Sequence, residues 1–481
     1  MSRTRTARSS VRPASLTPLL GLTLLLAGCG QGTQTNAAHP VAGPVAGTAD
    51  QHAQPGTYQT QKAARPAQTP EAGTPDPTTY LSATLPRPGL SAQSVNKDIP
   101  VVLVHGLGGF GRDEFLGHHY WGGLYDTQER LRAEGYQVYS ASIGPISSNW
   151  DRAAELYAQI KGGCVDYGAA HSTAAGHTRS DPAKCYPGFY PAWDAQHPVN
   201  LIGHSMGGPT TLMLLNLLED GSPADADGQN LYAGGRMGWV RSAMTVSGAN
   251  SGSPAADNLL NTIPFLKDLL LSFAGAAGVT GNVGASVYNF DLGQWGITRQ
   301  PGDTFKTYTE RAFDPNNALW RTNDQAGYDL SVEGAAAMNR RIGGLPRGTR
   351  LFSWATADTY AGLLTGWQYP NVTMNPVMNI TAYPYAWPLP PGLGNMTGKS
   401  ALGTVTYDQT WWKNDGLVPV KVQHAPLGQP SEAYAAQPTR PGHWYMLGTL
   451  NGSDHIDIIG LFGLKDVTPF FRNQVTFLNS Q

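Results

Sequence analysis

Charge is scarce in this 481-residue chain. Asp, Glu, Lys and Arg make up 14% of it, and 32 basic residues nearly balance 34 acidic ones for a formal net charge of −2. That balance excludes the basic footprint of a nucleic-acid-binding protein, so no nucleic acid partner is expected. Cysteine is scarcer still: Cys29, Cys164 and Cys185 leave room for at most one disulfide. The apolar run near the amino terminus, residues 16–26, is too short to cross a bilayer comfortably. There is no internal repeat. Glycine (58) and proline (36) are plentiful instead, a composition that suits an exported, loop-rich protein better than a helical cytosolic one. The length allows a sizeable core and one or two domains.

Residues 1–29 read as a leader. Arg3, Arg5, Arg8 and Arg12 precede the apolar run, which ends in Leu26-Ala27-Gly28-Cys29. That ending resembles the bacterial lipobox and implies lipidation of Cys29 and a membrane anchor. Cleavage at a later small-residue site such as Ala37-Ala38, with free secretion, is the alternative. Residues 30–96, rich in Ala, Gln, Pro, Thr and Gly, read as a disordered linker. In an oxidising compartment Cys164 and Cys185 are then expected to pair. They would close a loop of about 20 residues, worth on the order of 3 kcal/mol.

One stretch organises the remainder. Val199-Asn200-Leu201-Ile202 suits a core strand and runs into Gly203-His204-Ser205-Met206-Gly207. Leu212, Met213, Leu214, Leu215, Leu217 and Leu218 then suit a buried helix. Strand, G-x-S-x-G and helix together make a nucleophile elbow. Its tight turn strains the serine backbone and requires near-bare neighbours two residues to either side. Ser205 would stand at a helix N-terminus, with the Met206 N–H open to a developing oxyanion. A chance match among so many glycines is the bland alternative, and the flanking strand and helix argue against it. A second glycine-rich turn, His105-Gly106-Leu107-Gly108-Gly109, follows an expected strand at 99–104. It offers the Leu107 N–H as a second oxyanion donor, or it is a plain tight turn. Further strands are expected at 137–142, 242–246, 350–354, 418–422 and 444–447, with helices at 126–134 and from Asn149. That alternation points to a parallel α/β architecture.

A serine nucleophile needs a base, and the base needs a carboxylate to hold its tautomer. The chain order Ser, acid, His directs the search to the late chain. Asp415 lies in Lys413-Asn414-Asp415-Gly416, before an expected strand. His455 lies in Gly452-Ser453-Asp454-His455, just after one. His424 and His443 also follow Asp415 but sit in or entering strands, so His455 is the favoured base.

These residues extend into a longer likeness. Pro100-Val101-Val102-Leu103-Val104-His105-Gly106-Leu107, Tyr120-Trp121-Gly122-Gly123, Gly144-Pro145 to Trp150-Asp151-Arg152, Val165-Asp166-Tyr167-Gly168-Ala169-Ala170-His171 and Tyr328-Asp329-Leu330-Ser331 are its main segments. With the surroundings of Asp415 and His455, they resemble the bacterial true lipases of the thermophilic-bacillus and staphylococcal type. The resemblance implies an α/β-hydrolase fold: a mostly parallel central sheet flanked by helices, with a lid and a small zinc-binding insertion. It implies hydrolysis of triacylglycerols and other long-chain carboxylic esters. By it, Ser205, Asp415 and His455 match the catalytic triad, and Leu107 and Met206 the oxyanion hole.

The family's zinc pattern falls on Asp151, His171, His177 and Asp324, a donor set that suits a closed structural site. From spacing alone, His171 and His177 read as two solvated loop histidines. A Cys–His zinc site using Cys164 and Cys185 is a further alternative. The family's calcium site is matched only in part. Asp457 and the Thr373 carbonyl correspond to ligands, but the following Asp-Pro pair is replaced by Phe462-Gly463. Residues 247–253 also depart from the Gly-Thr-Pro-His run common in the family. Residues 259–271 are too apolar for an ordinary surface helix. They correspond to the family's lid helix, with Gly275, Gly278 and Gly281 as hinges, or else form a core helix.

The expected organisation is therefore a leader at 1–29, a linker at 30–96 and a hydrolase domain at 97–481. The zinc insertion is expected at about 145–190 and the lid at about 255–285. The expected partner is a lipid or ester substrate at an oil–water interface. Two rivals are a carboxylesterase for short soluble esters and a surface-anchored binding module without catalysis, against which the intact triad argues.

Overall fold

The computed structural model describes residues 95–481, apart from 260–266, 269, 272–273, 276–282, 345, 385–391 and 462–464. The expected leader with Cys29, and nearly all of the linker, lie outside the described residues. So do most of the expected lid segment and its hinges Gly278 and Gly281.

Seven strands form one sheet: β1 (Val101–Val104), β2 (Val138–Ser140), β3 (Val199–His204), β4 (Val240–Val246), β5 (Arg350–Ala357), β6 (Ser431–Ala433) and β7 (His443–Asn451). Their order is β6-β7-β5-β4-β3-β1-β2, and every neighbouring pair is parallel. The helices that cover it include α1 (Thr127–Ala133), α2 (Asn149–Lys161), α3 (Gly207–Glu219), α4 (Val332–Ile342) and α5 (Thr468–Ser480).

The run Val101-Val102-Leu103-Val104 makes a strand because both of its faces are buried. Val101 and Leu103 enter one core, Val102 and Val104 the other. The second core is closed by α2, α3 and α4 through Leu156, Leu214, Leu217 and Met338. The first is closed by α1 and α5 through Leu131, Phe470, Phe471 and Val475. All 13 residues of α3 are buried, which explains why it is apolar all round rather than striped. Because the strands are parallel, the loops after β1, β3, β4, β5 and β7 gather at one edge. That edge is where such sheets bind ligands.

Three expectations change. Residues 418–422 form no strand; Val420–Gln423 is a single helical turn with Pro419 as its N-cap. Val418 and Val422 are both buried, four positions apart, so the apolar spacing that reads as a strand is one helical turn. The strand expected at 444–447 extends to His443–Asn451. The insertion expected at about 145–190 also contains α2, which packs on the sheet against α3. Beyond α2, Gly163–Cys164 pairs antiparallel with Cys185–Tyr186, and the Cys164–Cys185 disulfide spans 21 residues there.

Candidate active site

The turn from β3 into α3 holds Ser205 at φ +56°, in the left-handed region that an L-residue adopts only when packing compels it. The glycines show what compels it. A Cβ at Gly203 would lie 2.3 Å from the Gly207 carbonyl oxygen, and one at Gly207 would lie 2.0 Å from that of Val104. A Cβ at Gly106 would sit 2.6 Å from Ser205 Cβ, so only glycine lets the loop after β1 lie against the serine.

His455 Nε2 lies 2.8 Å from Ser205 Oγ, and His455 Nδ1 lies 2.8 Å from Asp415 Oδ2. Ser205, His455 and Asp415 are 9%, 3% and 0% exposed, so these contacts are shielded from water. Five donors converge on the Asp415 carboxylate. Oδ1 accepts from the Leu417 and Val418 N–H groups; Oδ2 accepts from Thr356, Gln423 and His455. A carboxylate so satisfied accepts from the imidazole, so the proton sits on Nδ1 and Nε2 accepts from the serine hydroxyl. Ser247, in the segment that departs from the family pattern, lies 2.6 Å from the Thr356 hydroxyl and thus backs the carboxylate.

A second chain of hydrogen bonds runs behind the first. The Gly106 N–H donates to the Tyr120 hydroxyl at 2.9 Å, and that hydroxyl lies 2.7 Å from His204 Nδ1. His204 Nε2 lies 2.8 Å from the His455 carbonyl oxygen, which can only accept. The protons are thereby assigned: Nε2–H donates to His455, and Nδ1 accepts from Tyr120. Burial, with His455 and His105 nearby, holds the His204 pKa well below its usual value, consistent with a neutral ring.

The loop after β1 is anchored by Arg152 of α2, whose guanidinium donates to the His105 carbonyl at 2.5 Å, the Gly144 carbonyl at 2.7 Å and the Thr210 hydroxyl at 2.9 Å. Burial pushes this arginine down to about 10. The His105 ring donates from Nδ1 to the Gly106 carbonyl and accepts the Ile143 N–H at Nε2. Burial and the nearby Arg152 charge push it down to about 3. The Leu107 and Met206 N–H groups have no acceptor among the described residues; Met206 follows Ser205 in the chain, and Leu107 lines the same cavity as Ser205. Above the serine opens a cavity of about 970 Å³, its mouth included, walled by Phe110, Phe115, Tyr288, Leu330 and Ile459. Leu270, a described residue of the expected lid segment, also lines it and presses on Gly108.

Asp151, His171, His177 and Asp324 come together as expected from the resemblance, their ligand atoms all within 4.8 Å of one another. Both Nε2 atoms face the carboxylates, at 3.2 Å for His171–Asp151 and 3.1 Å for His177–Asp324. His177 Nδ1 donates to the Thr178 carbonyl, which turns Nε2 toward the carboxylates, where a bound cation would take its lone pair in place of a proton. Trp150 stacks on His171 and Trp295 covers His177, both at 4.7 Å between ring centroids. Two imidazoles and two carboxylates inside aromatic walls fit a metal ion. Cys164 and Cys185, joined to each other, take no part in it.

Around the expected calcium residues, Thr373 and Asp457, stand two further carboxylates, Asp358 and Asp454. The Thr373 hydroxyl donates to Asp358, and the Asp454 carboxylate accepts three backbone N–H groups, from Asn375, Ile456 and Asp457. The Lys465 ammonium stands 3.3 Å from Asp457. Phe462 and Gly463 lie outside the described residues.

A serine on a strained strand-to-helix turn, hydrogen-bonded to a histidine and through it to an aspartate, at the carboxyl edge of a parallel sheet, defines the α/β-hydrolase class. The lipase-like C-terminal domain model matches residues 96–474. The chain belongs to that family, that of the bacterial true lipases. It is 33% identical over 379 residues to a lipase of Staphylococcus epidermidis, covering 76% of this chain and 51% of that protein. The chain thus spans about half the length of the curated relatives it matches. Among solved structures, EstA from Clostridium botulinum aligns with a TM-score of 0.73 at 33% identity, over 84% of this chain and 97% of EstA. The Staphylococcus hyicus lipase aligns with a TM-score of 0.64 at 31% identity, over 80% and 96%.

Sequence reasoning did not single out Thr356, Gln423, Tyr120, His204, Arg152 or His105 for roles at the site. Tyr120 and Arg152 lie in segments that carry the family likeness, and His204 is the variable position of the elbow. Nothing local marks Thr356 or Gln423, which reach Asp415 only through the tertiary fold.

Proposed function

We propose that this protein hydrolyses carboxylic esters, long-chain acyl esters and triacylglycerols above all, through an acyl-enzyme on Ser205. The single observation that carries this reading is the continuous Ser205–His455–Asp415 hydrogen-bond chain beneath a largely apolar cavity. Ser205 Oγ attacks the ester carbonyl while its proton passes to His455 Nε2. The imidazolium is held by Asp415, whose charge the Thr356, Gln423 and backbone donors keep in place. The Leu107 and Met206 N–H groups receive the oxyanion. His455 then returns its proton to the leaving alcohol. Water deprotonated by the same imidazole cleaves the acyl-enzyme. Phe110, Phe115 and Tyr288 offer the acyl chain an apolar bed.

In this reading Asp151, His171, His177 and Asp324 hold a structural zinc ion, which when bound cross-links α2, the disulfide loop and the segment carrying Asp324. Residues 259–271 act as the lid, and Leu270 marks where it meets the oxyanion loop. The leader exports the chain, with lipidation at Cys29 anchoring it to a membrane.

Hydrolysis of p-nitrophenyl esters from acetate to palmitate, with emulsified tributyrin and triolein, tests the substrate class. Turnover is expected to persist through the long chains and to vanish in Ser205→Ala. Activity confined to short soluble esters would replace the lipase reading by a carboxylesterase. The absence of any ester turnover would leave the binding-module reading.

A further inference from the structure

Residues 359–398 contain no Asp, Glu, Lys, Arg or His. Within them, Thr359–Ala361 pairs antiparallel with Gln368–Pro370 to form a short hairpin. Its turn is closed by the Gly362 N–H donating to the Trp367 carbonyl and the Gly366 N–H to the Gly362 carbonyl, each at 2.8 Å. Leu363 and Leu364 stand at the tip, 103% and 100% exposed. Tyr360 and Trp367, partly exposed, sit one step below them, and Val372, 105% exposed, follows the second strand. A hydrogen-bonded turn therefore holds two leucines fully in water, where their burial is forgone.

We infer that this tip is an anchor that dips into a lipid surface. Leucines at the apex match the acyl region, and Tyr and Trp below them match the headgroup level where amphipathic rings settle. The charge-free segment leaves no ionic side chain to desolvate. A protein partner fits less well. Two side chains on a point fall far short of the roughly 800 Å² per partner of a stable interface, and no charge is present to set its register. The hairpin is rooted beside the catalytic carboxylate: the Asp358 N–H donates to the Asn414 carbonyl at 3.0 Å, and the Asn414 N–H to the Thr359 hydroxyl at 3.3 Å. An anchored tip would therefore bring the edge of the sheet that carries Ser205 to the lipid. The inference deepens the proposed function by naming the surface at which the enzyme meets aggregated substrate.

The test uses the full chain carrying Cys29→Ser, so that no N-terminal acylation intervenes. An environment-sensitive dye on Leu364→Cys is expected to shift to the blue on phosphatidylcholine vesicles, while the same dye on Lys306→Cys does not. Leu363→Ser with Leu364→Ser is expected to weaken vesicle binding roughly a hundredfold. It should lower turnover of emulsified triolein while leaving p-nitrophenyl butyrate hydrolysis within twofold. A dye at position 364 that stays in water on vesicles overturns the inference. So does a blue shift that appears without lipid as protein concentration rises, which would assign the tip to a second copy of the chain. Absence of butyrate hydrolysis in the parent chain would overturn the proposed function alone, since the dye still reports on the hairpin.

Discussion

The Tyr120 hydroxyl lies 2.7 Å from Nδ1 of His204, and this contact ties together three loops that meet only in the fold. Through Gly106 it reaches the loop after β1; through His204 it reaches the backbone of His455. Tyr120→Phe keeps the ring and removes the hydroxyl, leaving the Gly106 N–H and His204 Nδ1 without their partner. Loss of a buried hydrogen bond of this kind costs about 1–3 kcal/mol. We expect kcat on a soluble ester to fall about tenfold, with KM within twofold, since the error lies in alignment rather than binding. A kcat within twofold of wild type would remove Tyr120 from the positioning chain.

His105 makes stability depend on acid. Its folded pKa of about 3 lies below the ordinary histidine value of 6.5. Between those values the unfolded chain binds a proton that the folded chain refuses, so stability present above pH 6.5 is lost as pH falls. The slope from this one group is ~1.4 kcal/mol per pH unit. His424, pushed down to about 4 by burial, adds a like slope between pH 6.5 and about 4, the upper part of the same window. Urea unfolding between pH 4.5 and 6.5 is expected to show this loss, with a shallower slope in His105→Gln. An unchanged slope in that variant would mean that the ring is not the group responsible.

The metal cluster is distant from the reacting hydroxyl in role. His171→Ala with His177→Ala should abolish stoichiometric metal, measured by elemental analysis. The melting temperature is expected to drop by more than turnover at 25 °C declines. Purified wild-type protein without zinc would end the zinc assignment.

Arg152 supports the loop after β1 from below. Arg152→Met strands the His105 and Gly144 carbonyls in the core, and we expect a loss of about 3 kcal/mol in unfolding free energy. Chemical denaturation reads this directly, and a loss below 0.5 kcal/mol would contradict the anchoring role.

Much of the site was legible because its signals are local. Gly203, Ser205 and Gly207 announce the elbow within five positions, since each glycine answers a clash between neighbouring turns. The alternation of Val101 to Val104 marks β1 because both of its faces are buried. Asp415 and His455 were reached through chain order, and Asp151 and Asp324 only through family likeness, because their partners lie far away in sequence. Val418 to Val422 misled, since spacings of two and four coincide over so short a run and Pro419 decides for a helical turn. Thr356, Gln423 and the Tyr120–His204 contact arise where separate loops meet, and no local pattern encodes such meetings. Lys465 stands at Asp457, a pairing that only the folded chain reveals.

In the proposed function Ser205 is the nucleophile and His455 activates it. Inactivation with diethyl p-nitrophenyl phosphate, followed by peptide mass spectrometry, tests it most directly. One diethylphosphoryl group per chain is expected, on Ser205, with p-nitrophenol release and loss of esterase activity in equal measure. No labelling is expected in Ser205→Ala and greatly slowed labelling in His455→Ala. Stoichiometric labelling at another residue, or full activity after Ser205 is modified, would contradict it.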